Sequence, residues 1–396
     1  TRHLYRVLSL LENLPETEQA LAWSLAARTH LIRAGINTGM DEAEGDRLFE
    51  EARRLAERIG DRRALVMLYA VAGVFKGIHG DPVTALERCQ EALRLAEGIG
   101  DEAVELVLRA SAAGGYAGVG RLVDGLRFTE RSLEQLPRDD DLGAGLTGFS
   151  PRLMLRAWRG WFLGRVGRLV ESEDEIRAVL EAVRDPSRDR EVLYECHTTL
   201  VYIAWLRGDR AGATSAAREA ARIGERLYVR TREIYSLREA LLAERWAEAV
   251  AHIEGSPDRH REVGLGEFDE LASEAYLRHG EQGQARTHAE RALQLAETRR
   301  SATLRAGGLL ALARVELSTG AADRARELLV EALRCADEAH AGARVPFIKY
   351  ECAEAARALG DDTARARELR EAHRLFIEMG ATGHAERLAR ELGGES

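Results

Sequence analysis

Residues 80–96 read Gly80-Asp81-Pro82-Val83-Thr84-Ala85-Leu86-Glu87-Arg88-Cys89-Gln90-Glu91-Ala92-Leu93-Arg94-Leu95-Ala96. Gly80 suits the end of a preceding helix, because a left-handed cap costs glycine little. Asp81 can accept from the free backbone N–H groups of the helix that follows, and Pro82 fits that helix's first turn. Leu86, Cys89, Leu93 and Ala96 then fall on one helical face. The small Ala85 leaves room for a second helix to come close. The stretch therefore predicts a turn followed by the second helix of a hairpin.

The pattern returns with a period of about 40 residues. Glu91-Ala92-Leu93-Arg94-Leu95-Ala96, Arg291-Ala292-Leu293-Gln294-Leu295-Ala296 and Glu331-Ala332-Leu333-Arg334-Cys335-Ala336 stand in one register, with Glu51-Ala52-Arg53-Arg54-Leu55-Ala56 and Glu371-Ala372-His373-Arg374-Leu375-Phe376. A glycine precedes the small or apolar position by twelve residues: Gly80 and Ala92, Gly120 and Ser132, Gly167 and Val179, Gly208 and Ala220, Gly280 and Ala292, Gly320 and Ala332, Gly360 and Ala372. Between Gly208 and Gly280 lie two shorter units, where Glu244 takes the glycine place. Strand signals are nearly absent. An isolated helix pair cannot bury both faces, so the pairs must stack. The expectation is an all-α, right-handed superhelical solenoid of about nine antiparallel helix pairs, similar to tetratricopeptide repeats but longer than their ~34-residue unit.

The chain reads as one array over 1–396, with N-terminal repeats in 1–136, an inserted loop at 137–151 and central repeats in 152–254. A possible hinge at 255–262 precedes C-terminal repeats and a final helix in 263–396. The insertion, Leu136-Pro137-Arg138-Asp139-Asp140-Asp141 onward to Pro151, accounts for the 47-residue interval from Gly120 to Gly167. It is either a spacer with a solvated acidic tip or a functional rim loop. Gly393-Gly394-Glu395-Ser396 should be frayed.

Of 396 residues, 45% are hydrophobic and 31% charged, enough for a core and against global disorder. No uninterrupted apolar run reaches the ~18 residues of a membrane helix. The four cysteines, Cys89, Cys196, Cys335 and Cys352, lack metal or disulfide spacing and point to a reducing compartment. A net charge of -9 disfavours direct nucleic-acid binding. The opening Thr1-Arg2-His3-Leu4-Tyr5 lacks an initiator Met and a signal-peptide core, as expected of an excised piece or processed product.

No phosphate loop, His-Glu-x-x-His, paired Cys-x-x-Cys or nucleophile elbow occurs. Cys196 and His197 are adjacent, so on a helix they point about 100° apart and cannot share a metal. His252 and His260 flank the expected hinge without further ligands. The sequence thus calls for no catalytic residue, no metal and no cofactor. Its best binding candidate is central: Arg152, Arg156 and Arg159 form a basic stripe, and Trp158 and Trp161 stand three apart beside it. Tyr194, His197, Tyr202 and Trp205 follow on the first helix of the next pair. First helices line the concave surface of such arrays, and arginine with aromatics is the make-up of an interface hot spot. Trp and Tyr at helical spacing are, however, more often core between repeats than ligand contacts. The readings favour a protein or peptide in the groove, with a small inducer as a further possibility and no membrane partner.

Several segments resemble the C-terminal repeat region of large bacterial signalling proteins, in which a class III adenylate/guanylate cyclase domain precedes a STAND-type ATPase and then the repeats. They are Leu10-Leu11-Glu12-Asn13-Leu14-Pro15-Glu16, Gly39-Met40-Asp41, Leu146-Thr147-Gly148-Phe149-Ser150-Pro151, Gly208-Asp209 and, most specifically, Glu371 to Gly393 with its Met379-Gly380-Ala381-Thr382-Gly383-His384-Ala385-Glu386. The resemblance extends over essentially the whole chain. It implies a bacterial cytoplasmic regulatory region that senses a partner or inducer and controls attached ATPase or cyclase domains. The cyclase and nucleotide-binding motifs are absent, so no catalytic residue carries over. A related repeat region occurs in large LuxR-type transcriptional activators, where it would be a small-molecule inducer-binding module; those proteins finish with a helix-turn-helix that this sequence does not show.

Overall fold

Asp81 Oδ1 accepts from the Thr84 N–H at 3.0 Å, and the same cap is made by Asp61 to Ala64 at 2.9 Å, Asp101 to Val104 at 3.1 Å and Asp361 to Ala364 at 2.8 Å. Asp81 and Asp361 start helices that the Gly-Asp pattern predicts, and Asp61 and Asp101 do the same at turns offset from that pattern. A computed structural model describes residues 2–224, 232–255 and 266–393. The expected hinge at 255–262, apart from Gly255, lies outside the described residues with His260, and so does the tail beyond Gly393.

In chain order the helices are α1 (Arg2–Leu11), α2 (Glu18–Thr38), α3 (Glu42–Ile59), α4 (Arg62–Ile78), α5 (Pro82–Ala96), α6 (Glu102–Gly118) and α7 (Leu122–Gln135). A short α8 (Ala144–Thr147) leads to α9 (Pro151–Arg165), α10 (Leu169–Ala182), α11 (Arg190–Arg207), α12 (Arg210–Gly224), α13 (Arg232–Leu242) and α14 (Trp246–Glu254). Then follow α15 (Phe268–His279), α16 (Gln282–Thr298), α17 (Ala302–Ser318), α18 (Ala322–Glu338), α19 (Val345–Ala358), α20 (Asp362–Met379) and α21 (Thr382–Gly393). Among the described residues there is no strand. No helix there is long and apolar enough to cross a membrane. Within each unit helices pack on their chain neighbours, as α4 on α5 and α17 on α18, and alternate helices touch, as α2 with α4 and α11 with α13, in the manner of an α solenoid of stacked hairpins.

The small position of the repeat is the centre of this packing. Ala92, Ser132, Val179, Ala220, Ala292, Ala332 and Ala372 are all buried. So are Ala85, Ala213, Ala285 and Ala325 at the helix crossings. A Cβ on Gly73 would stand 2.8 Å from Cys89 Sγ and 3.1 Å from the Ala85 carbonyl, so α4 and α5 meet where no larger side chain fits.

The chain divides into two compact units: Thr1–Val119 with Phe128–Leu155, and Gly120–Arg127 with Arg156–Ser396. In the first unit the inserted segment is docked on the first helices. Arg33 on α2 donates to the Leu146 carbonyl at 2.9 Å, and Leu146 packs against the core that includes Val66, Ala70, Val104 and Leu108. The tip keeps its acids at the surface, with Asp139 capping the Asp141 N–H at 2.9 Å. In the second unit the hairpins come round on themselves. Thr303 Oγ1 donates to the Gly120 carbonyl at 3.0 Å, Gly342 lies against Val166 and Gly167, and Gly383 lies against Arg207 and Gly208.

Left-handed turns recur at the expected glycines, and Glu244 adopts φ 59° in the glycine place. A second series, offset from the first, carries Gly60, Gly100 and Gly380, but also Arg300 at φ 49° and His340 at φ 51°. Side chains with a Cβ are strained there, by about 1 kcal/mol or more each. Arg300→Gly and His340→Gly should therefore each raise stability by about 1 kcal/mol, read as an upward shift in the urea midpoint. Asp81→Ala should lower it by about 1 kcal/mol through loss of its cap.

Candidate functional site

Two of the three arginines of the basic stripe on α9 meet a single carboxylate. Arg156 Nε donates to Glu175 Oε1 at 2.7 Å, and Arg159 Nη1 to Glu175 Oε2 at 2.6 Å. Glu175 lies on α10, the partner helix of the same hairpin, so the stripe ties α9 to its own second helix. Arg152, one turn earlier, turns to the insertion, donating to the Pro137 carbonyl at 3.1 Å and pairing with Asp140 at 3.7 Å.

Three of the aromatics converge elsewhere. Trp158 is half-buried and meets Trp161 edge-on, with ring centroids 5.8 Å apart. Trp161 is buried, and the Arg165 guanidinium lies 3.8 Å from its ring centroid and 3.9 Å from that of Tyr202. Arg165 is thus held between two aromatic faces, an arrangement that stabilises a desolvated cation. Tyr202 in turn stacks on Trp205 at 6.0 Å, and Trp205 on Phe347 at 5.4 Å with the planes 13° apart. Tyr194 departs from this group: it is buried and meets Tyr235 edge-on at 5.8 Å. His197 faces a different groove of about 280 Å³, lined by Glu173, Arg177, Arg207 and Glu219. Burial draws its imidazole below the ordinary value, and its Nδ1 is enclosed without a hydrogen-bond partner. The nine residues singled out in the sequence accordingly occupy five surroundings. Trp161, Tyr202 and Trp205 share one of them.

That shared place is built around residues the sequence did not single out. Glu267, just before α15, accepts from Arg165 Nη2 at 3.2 and 3.3 Å and from Arg238 Nη2, and lies 3.7 Å from Arg344. Arg344 also donates to Glu270 at 2.5 Å. Arg165, Arg238 and Glu267 are each at most 5% exposed. Burial alone would push the Glu267 carboxyl up, but the charges of Arg165, Arg238 and Arg344 outweigh it and hold it at about 2. Nearby Glu195 on α11 lacks that company. Burial pushes its carboxyl up to about 7, against the pull of Arg165. The spacing Trp161 to Arg165, four residues on one helix, was visible in the sequence. Its carboxylate partner is 102 residues away and was not.

Removing one member of such a buried network leaves the others uncompensated, at a cost of about 3 kcal/mol. Glu267→Gln should destabilise the chain by about that amount at pH 7. A depressed folded value means the contribution is complete above the ordinary 4.5 and disappears as pH falls through about 2. The stability difference between wild type and Glu267→Gln, measured by urea unfolding across this range, should narrow below pH 4.5.

No protein-family model matches the sequence, and no curated protein does. Among solved structures, the Rap protein complexed with competence and sporulation factor is similar with a TM-score of 0.52 at 14% identity, covering 83% of this chain and 97% of that one. The APC/C hetero-tetramer Cut9–Hcn1 aligns over 99% of this chain and 82% of that one, at 11% identity and a TM-score of 0.48. The apo form of the quorum sensor NprR from B. thuringiensis aligns over 99% and 91%, at 10% identity and a TM-score of 0.42. The fold of this chain is an α solenoid of tetratricopeptide-like helical hairpins.

Proposed function

We propose that the chain is a non-catalytic interaction and sensor scaffold: the regulatory repeat region of a larger bacterial, cytoplasmic signalling protein. Its first helices capture a protein, a peptide or an inducer, and the attached cyclase or STAND-type ATPase responds. The observation that carries this reading is the array itself. Its first helices α9 and α11 bring Trp158, Trp161, Tyr202 and Trp205 together with arginines, the composition of a hot spot. The similarity to the Rap protein, which was solved with competence and sporulation factor bound, supports an array of this kind as a receptor. The resemblance of Glu371 to Gly393 to the closing repeat of cyclase–ATPase regulators supports the larger setting.

Stacked hairpins give such a receptor a means of signalling. Within a unit each hairpin contacts its neighbours, so a small rotation at one pair propagates to the next. A ligand shifts that equilibrium only as far as it prefers one arrangement.

The site is tested with peptides selected from a random 12-residue display library against the full chain. Trp158→Ala and Arg156→Ala should each weaken the selected peptides by about tenfold, or ~1.4 kcal/mol, with helix content unchanged by circular dichroism. Unaltered binding by both variants rejects this face as the site. The chain alone should neither hydrolyse ATP nor form a cyclic nucleotide, and turnover in either assay contradicts the scaffold reading.

A further inference from the structure

Folding alone has little use for the charge buried in the second unit, because apolar side chains of similar volume generally serve a core as well or better. Three guanidinium groups from separate elements, Arg165 ending α9, Arg238 on α13 and Arg344 preceding α19, close on Glu267. They bring more donors than the carboxylate accepts. Arg165 Nη1 and Arg238 Nε are enclosed and have no hydrogen-bond partner. A cavity of about 20 Å³ adjoins Glu267, Arg238, Tyr202 and Arg344, room for about one water. Planar guanidinium forks stacked on aromatic faces are built to recognise a carboxylate. Here the carboxylate they hold belongs to the chain.

We propose that Arg165, Arg238 and Arg344 form a carboxylate-binding site whose resident occupant, Glu267, exchanges with a carboxylate presented by a ligand. The site adjoins the proposed binding face through Arg165, Trp161 and Tyr202 but includes neither Trp158 nor Arg156, so substitutions at those two and at Glu267 test the two readings separately. A tethered occupant acts at an effective concentration of millimolar or above, so a free monocarboxylate competes poorly and a successful ligand must add contacts of its own. Exchange would release Glu267 from Arg165 and with it the tie between α9 and the start of α15. Ligand capture is thereby coupled to the closure of the second unit.

The full chain carrying Glu267→Ala is titrated with sodium acetate at an ionic strength fixed with sodium chloride, with acetamide as the uncharged isostere. Thermal midpoint and tryptophan emission are followed, the latter because Arg165 lies on Trp161. Acetate should raise the midpoint saturably and acetamide should not. Wild type should need about 100-fold more acetate for the same change in emission. Adding Arg165→Met to Glu267→Ala should abolish the response. If the Ala variant does not fold in chloride alone, refolding yield against acetate concentration gives the same readout, and Glu267→Ser repeats it. The proposal is overturned by any of four results: no acetate dependence in either Glu267 variant, an equal response to acetamide, a response retained without Arg165, or a wild type that saturates at the variant's concentration.

Discussion

Backbone lying directly on backbone sets the geometry of the second unit. A Cβ on Gly383 would stand 2.6 Å from the Arg207 carbonyl oxygen, and Gly342 leaves no room for one against Val166. Thr303 completes the series by donating to the Gly120 carbonyl. These contacts join residues more than four repeats apart, so the hairpins must curl until the first turns meet the last. Once they do, side chains on the inner helices meet across the bore. Charges there are removed from water and persist only if paired. Arg165 sandwiched by Trp161 and Tyr202, with Glu267 held among three arginines, is the consequence.

The inner surface is consequently less open than a solenoid's first helices suggest. Trp161 and Tyr202 are buried by the chain itself, and Trp205 is stacked on Phe347. In the first unit Leu146 of the insertion rests on first-helix residues, held by Arg33. Both units thus present inner faces partly occupied by their own side chains. A ligand of such a face would have to make contacts better than those it replaces, which is a source of selectivity.

The repeats were legible because their signals are local. Gly-Asp turns, Asp caps and a small residue twelve positions on are each enforced by backbone chemistry within one hairpin. Glu244 in the glycine place was legible for the same reason. Arg300 and His340 were not, because nothing about their side chains announces a left-handed backbone; only the 40-residue spacing to Gly60, Gly100 and Gly380 marks them. The candidate site was legible in part. Arg156 and Arg159 are three apart on one helix, but the shared Glu175 that claims them is set by how α9 and α10 pack. The Arg165, Arg238, Arg344 and Glu267 cluster depends on closure over more than one hundred residues, which no local pattern encodes.

Closure is tested most directly at Gly383, which sits in the first turn of α21. In an uncrowded helix, replacing glycine by alanine raises stability by up to about 1 kcal/mol. Against the Arg207 carbonyl the added methyl has nowhere to go, and crowding of this kind costs about 1–3 kcal/mol. The thermal midpoint of Gly383→Ala should therefore fall below that of wild type. A midpoint that rises would mean that the last helix does not touch the turn at Gly208, and that the second unit is not closed.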